Sequence, residues 1–70
     1  MPSTVISRFV YVPETGELTI EFVTGRRYRY FDVPSETIDQ FRAAFSKGAY
    51  FNRHIRDEYQ FQELARMTGG

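Results

Sequence analysis

Cysteine and tryptophan are absent from this 70-residue chain, histidine occurs once, and no apolar run exceeds the four residues Phe9 to Val12. Without cysteine there is no disulfide to staple the fold and no thiolate metal site. A membrane-spanning helix needs about 20 consecutive apolar residues, which this sequence does not offer. One histidine cannot supply the three or four protein ligands that zinc takes, and no Ser/His/Asp or Cys/His set can be assembled around it. Neither metal nor cofactor is therefore expected. Net charge is missing as well: nine basic and nine acidic side chains cancel, which speaks against a strong, indiscriminate polyanion binder. The start, Met1-Pro2-Ser3-Thr4, has no basic segment followed by an apolar one, so no signal peptide is expected. Together with the missing cysteine this leads to an expected cytoplasmic location, without membrane contact.

What the chain does have is rings. Seven Phe and five Tyr give a short chain more buried area per position than aliphatic residues would. That matters because a domain of this size buries only about 60% of its unfolded surface. Residues 4–12 and 17–23 are rich in Val, Ile, Thr, Phe and Tyr and read as strands. Pro13-Glu14-Thr15-Gly16 between them is a turn. Pairing Val12 with Glu17, Tyr11 with Leu18 and Phe9 with Ile20 puts Phe9, Tyr11, Leu18, Ile20 and Phe22 on one face. Ile6 then has the wrong parity, and a bulge near Ser7-Arg8 would return it to the core. Thr24-Gly25 marks a second turn before a third strand, 26–31. The pairing that sets Phe22 against Tyr28, Ile20 against Tyr30 and Glu21 against Arg29 buries rings together and joins opposite charges. The outer face is then Arg8, Val10, Thr19, Glu21, Val23, Arg27, Arg29 and Phe31, with Arg8, Glu21 and Arg29 in one row.

Asp32-Val33-Pro34-Ser35 closes the third strand and opens a helix, with Asp32 or Ser35 able to cap it. Ile38, Phe41 and Phe45 form its apolar stripe. Gly48 is the expected left-handed residue ending it, and a second helix carries Phe51, Ile55 and Tyr59. Phe61, Leu64, Ala65 and Met67 suggest that residues 60–70 are a helical extension and frayed tail. The expected fold class is α+β: a three-stranded antiparallel meander followed by two helices packed on one face, the tail allowing a third.

The ordered set Tyr11…Leu18-Thr19-Ile20-Glu21-Phe22…Gly25…Tyr28-Arg29-Tyr30…Val33-Pro34…Ser46-Lys47-Gly48-Ala49-Tyr50-Phe51-Asn52…Ile55-Arg56…Tyr59 resembles the KTSC domain. That family is found at the C-terminus of some lysyl-tRNA synthetases and as small stand-alone bacterial and phage proteins. Its central Tyr-x-Tyr is here Tyr28-Arg29-Tyr30. Val12 departs from the family pattern, which often has Asp at that point. The resemblance implies a domain over residues 1–59 with 60–70 appended. It implies RNA binding as a role, no catalytic residue, and Tyr28, Tyr30, Gly48, Phe51 and Asn52 as structural motif positions.

Three constellations carry binding chemistry. Tyr28-Arg29-Tyr30 could stack bases, although the register makes both tyrosines core residues. Arg8, Arg27 and Arg29 on the outer sheet face, with Phe31, offer forked donors for phosphate; Glu17 and Glu21 partly neutralise them. Lys47, Arg53 and Arg56 with Asn52 lie at the helix junction, in a stretch, 42–56, that holds no acid. There the plainer reading is structural, with Ser46 as cap. His54 beside Asp57 and Glu58 is a solvated helix position rather than a catalytic base. The expected function is thus a small non-catalytic module binding RNA through Arg8, Arg27, Arg29, Lys47, Arg53 and Arg56. The alternatives are a protein-interaction or homo-oligomerisation domain regulating a larger partner, and a small-ligand binder or ribonuclease-like enzyme.

Overall fold

The first hairpin follows from its turn chemistry. Gly16 adopts φ 75°, a left-handed conformation that costs glycine little, and its N–H donates to the Val12 carbonyl at 2.8 Å. A computed structural model describes residues 6–64. They form β1 (Ile6–Val12), β2 (Glu17–Phe22), β3 (Arg27–Tyr30), α1 (Ser35–Ala43), α2 (Lys47–Tyr50), a π-helical segment continuing it (Phe51–Ile55), and β4 (Phe61–Leu64). The strands make one antiparallel sheet in the order β1-β2-β3-β4. Its extents of 36 × 31 × 18 Å are those of one sheet under one layer of helix.

β1 and β2 pair as the sequence leads one to expect: Val12 with Glu17, Tyr11 with Leu18, Phe9 with Ile20. The bulge is present too. Ile6 stands opposite Phe22 and Arg8 opposite Glu21, leaving Ser7 as the extra residue and returning Ile6 to the inner face.

The second hairpin differs from expectation by two residues. Ile20 faces Tyr28, Leu18 faces Tyr30, and Glu21 faces Arg27. The reason is Gly25, whose φ of 92° makes it the left-handed residue after a tight turn. Its N–H donates to Phe22 O, and Phe22 N–H donates to Arg26 O, each at 2.9 Å. The loop is therefore Val23-Thr24-Gly25, a three-residue connection with Gly at the bulge position. Because the displacement is even, every side chain keeps its face. The charged row becomes Arg8, Glu21 and Arg27, with Arg29 opposite Thr19.

The largest correction is the fourth strand. Residues 61–64 are not helical; they pair with β3, Tyr30 against Phe61 and Arg27 against Leu64, so part of the supposed extension belongs to the sheet. The spacing of Phe61, Leu64 and Ala65 suits a helix, but β3 would otherwise be left with an unpaired edge. The ladder also continues through Phe31 N–H to Gln60 O at 3.0 Å. Ala65 and Met67 lie outside the described residues.

The helices cover the inner face. Leu18, Ile20, Tyr30, Val33, Ile38, Phe41, Phe51 and Ile55 form the buried core. Phe45 is not in it, being fully exposed. α1 stops at Ala43, and Ala44 turns extended at ψ 138°, so the apolar stripe ends before reaching Phe45. Nor is Gly48 left-handed: it lies inside α2, whose cap is Ser46, the Oγ accepting from Ala49 N–H at 3.2 Å. α1 begins at Pro34 with no side-chain cap from Asp32 or Ser35; Asp32 instead bends the chain with φ 57°.

Two bonds fasten the first turn to the entrance of α1. Val33 N–H donates to Gly16 O at 2.9 Å, and Tyr11 Oη donates to Val33 O at 2.6 Å. Removing only the hydroxyl leaves a partly buried carbonyl short of a partner. Tyr11→Phe is expected to lower stability by about 1–2 kcal/mol, read as a reduced urea midpoint at unchanged slope.

Candidate functional site

Strand alternation places Arg8, Val10, Glu17, Thr19, Glu21, Arg27, Arg29, Gln62 and Leu64 on the face away from the helices. Both helices pack on the other side, so among the described residues this outer face carries no second layer. Arg8 Nε donates to Glu21 Oε1 at 2.9 Å across the strands. Three guanidinium groups thus share the face with two carboxylates, a weakly basic surface. Val10 is 58% exposed in its middle.

The other three basic residues expected to join them do not. Lys47 Nζ donates to Arg42 O at 2.9 Å and to Ala44 O at 3.0 Å. It closes the carbonyl end of α1, where a cation is favoured by both hydrogen bonding and the helix dipole. Arg53 is exposed on the π-helical segment. Arg56 lies beyond that segment and lines a groove on the inner side of the sheet. The six cations are therefore spread over three surfaces. Of the motif positions, Tyr30 and Phe51 are buried, Tyr28, Gly48 and Asn52 half-buried.

That groove, of roughly 640 Å³, is the feature the sequence did not disclose. The helices cover the β2 side of the inner face and leave part of β3 and β4 open. Tyr28, Tyr30 and Phe61 line the opening, with Phe22 at one end. Tyr28 and Phe61 have centroids 5.7 Å apart at 62°, and Tyr30 and Phe61 5.3 Å apart at 32°. Arg26, Arg56, Asp57 and Glu63 complete the lining, and Arg26 Nη1 is 3.6 Å from Glu63 Oε2. Arg26, Phe61 and Glu63 come together only because β4 pairs with β3. The one available signal was the parity of Tyr28 read together with a strand at 61–64.

His54 stacks on Tyr50, ring centroids 4.5 Å apart, and Tyr50 Oη donates to Gln40 Oε1 at 2.9 Å. Among the described residues no cluster of three or more His, Cys, Asp or Glu could hold a metal ion, and no helix is long and apolar enough to cross a membrane. Burial at the groove floor pushes the Tyr30 phenol up to about 12, the nearby Tyr28 adding to the shift and the Arg56 guanidinium opposing it.

Residues 2–59 match the family model of the KTSC domain. The chain is 41% identical over 61 residues to a lysine–tRNA ligase of Nostoc punctiforme, covering 87% of this chain and 11% of that protein. A lysine–tRNA ligase of another Nostoc strain is 37% identical with the same 11% covered, so the chain spans about a tenth of these relatives' length. An uncharacterised protein of Stutzerimonas stutzeri is 37% identical over 49 residues, 70% of this chain and 69% of that one. The crystal structure of a KTSC domain protein from Yersinia pestis superposes with a TM-score of 0.76 at 28% identity, covering 93% of this chain and 94% of that one.

Two outcomes follow from the geometry. Lys47→Met is expected to cost about 1 kcal/mol of stability through the lost carbonyl bonds, measured by urea unfolding, and to leave any RNA affinity within twofold. The second concerns pH. With the Tyr30 phenol raised, the folded state holds its proton longer than the unfolded state does. The resulting stabilisation is complete below pH 10 and is lost as pH rises from 10 towards 12. A phenolate absorbance titration is expected to show one late step, absent in Tyr30→Phe.

Proposed function

The chain belongs to the KTSC domain family, and from that footing we propose that it is a small, non-catalytic module that binds single-stranded RNA on the outer face of its sheet. The observation that carries this is the uncovered face with Arg8, Arg27 and Arg29 on adjacent strands. Guanidinium forks suit phosphate oxygens, and weakly hydrated Arg planes also stack on bases. The relatives point the same way: in two of them the matching segment is a small part of a lysine–tRNA ligase, an enzyme whose substrate is an RNA. Glu17 and Glu21 on the same face limit non-specific attraction, which fits a chain with nine charges of each sign.

A second reading, contact with another protein or with a second copy, is favoured by one observation. Phe45 is fully exposed between α1 and α2, and large aromatics at such points are enriched in interfaces. A strict monomer in light scattering, with Phe45→Ser indistinguishable from the parent in pull-down, removes that reading.

The test of the RNA reading is salt. With three phosphate contacts, log affinity for a short single-stranded RNA is expected to fall with log salt at a slope of about −2, so binding weakens roughly 20-fold between 50 and 200 mM. Replacing Arg8 and Arg29 by Ala together is expected to flatten the slope to below −1 and weaken low-salt binding at least tenfold. Fluorescence anisotropy showing no binding at low salt, or binding insensitive to the double substitution, overturns it.

A further inference from the structure

The groove on the inner side of β3 and β4 has a composition unlike that of the outer face. Its walls are rings: Tyr28, half-buried, and Phe61, 53% exposed, with buried Tyr30 below. Its rim has forked donors, Arg26 and Arg56, and carboxylate acceptors, Asp57 and Glu63. Two positive and two negative groups leave the rim without net charge, so it has no preference for a phosphate. What suits it is a neutral, flat, aromatic group bearing both hydrogen-bond acceptors and N–H donors on its edge. A volume of roughly 640 Å³ lies within the usual range of small-ligand sites.

The geometry points to this groove as a pocket for one unpaired base of a single-stranded RNA, guanine before the other bases, stacked against Tyr28 and Phe61. The assignment rests on the RNA reading above and adds to it the place where base identity is sensed. Aromatic side chains hold splayed-out bases by stacking, and edge hydrogen bonds then discriminate among them. Guanine pairs acceptors O6 and N7, which a guanidinium reads, with N1–H and N2–H donors that a carboxylate accepts. Uracil is smaller and offers a single N–H on its pairing edge. The two binding surfaces are joined by β4: Phe61 faces the groove, and the next residue, Gln62, lies on the outer face beside Arg29. A strand whose phosphates lie on the outer arginines can therefore turn one base around this edge into the groove.

Guanosine, adenosine and uridine, which carry no phosphate, test the groove apart from the outer face. Each is titrated into the full-length protein and followed by two-dimensional amide NMR. Guanosine is expected to shift residues of β3, β4 and the Arg56-Asp57 turn, and to bind about tenfold more tightly than uridine. Phe61→Ala is expected to weaken guanosine at least tenfold, with Phe61→Trp restoring it. Glu63→Gln combined with Asp57→Asn is expected to abolish the preference for guanosine while stacking persists. Should Phe61→Ala fail to fold, the carboxylate double variant, all of whose changes are exposed, decides. Guanosine shifts that are absent, or that map to the outer face, overturn the groove assignment, as does a preference untouched by the carboxylate substitutions. Arg8→Ala with Arg29→Ala is expected to leave guanosine binding unchanged. If guanosine binds the groove and RNA fails to bind at low salt, it is the outer-face reading that falls.

Discussion

The cross-strand pairs Leu18–Tyr30 and Ile20–Tyr28 determine what every surface of this domain can be. β2 is an inner strand whose Leu18 and Ile20 are fully buried, so its parity cannot be reversed without exposing the centre of the core. Once the two tyrosines are set against those aliphatics, alternation sends Arg27 and Arg29 to the opposite face. A shift of two residues changes neighbours and spares this division. A shift of one would place guanidinium groups under the helices, where burying a charge without a paired counter-charge is prohibitively costly.

This is why so much of the architecture was legible beforehand. The first hairpin, its register and the bulge at Ser7 all follow from one requirement, that Ile6, Phe9 and Tyr11 reach the same apolar layer. The faces of β3 were legible for the same reason. The neighbours within each row were not, because they depend on which residue of a short loop takes the left-handed conformation, and Gly25 could serve in two loops of different span. The fourth strand was hidden by a real ambiguity: over a segment as short as Phe61–Leu64, apolar spacing fits a helix as well as a strand. Only the open edge of β3 decides the matter, and that is a property of the sheet rather than of the segment. Phe45 illustrates the converse. Its spacing from Phe41 continues the stripe, but the backbone has already left the helix at Ala44.

Charge was the least legible property. A run without acids, 42–56, invites the picture of a basic patch, yet its members end up with unrelated tasks. Lys47 is drawn in by the unsatisfied carbonyls of α1, Arg42 lies near the ring of Phe9 with its Cζ 5.9 Å from the centroid, and Arg56 is carried to the inner groove. Linear clustering of cations says little about a surface when helix ends and rings compete for them. The arginines that do share a surface come from strands distant in sequence.

The π-helical segment has its own bearing on that outcome. Arg56 N–H reaches back five residues to Phe51 O at 2.8 Å, a wide turn equivalent to one residue inserted into an ordinary helix. A chain one residue shorter at this point would wind normally, but everything after it would rotate by about 100°. Arg56 and Asp57 would then be aimed elsewhere while the sheet stayed as it is. Among KTSC domains, a single-residue length difference between Phe51 and Ile55 would thus act as a switch on rim chemistry, altering what the groove accepts without altering the fold that forms it.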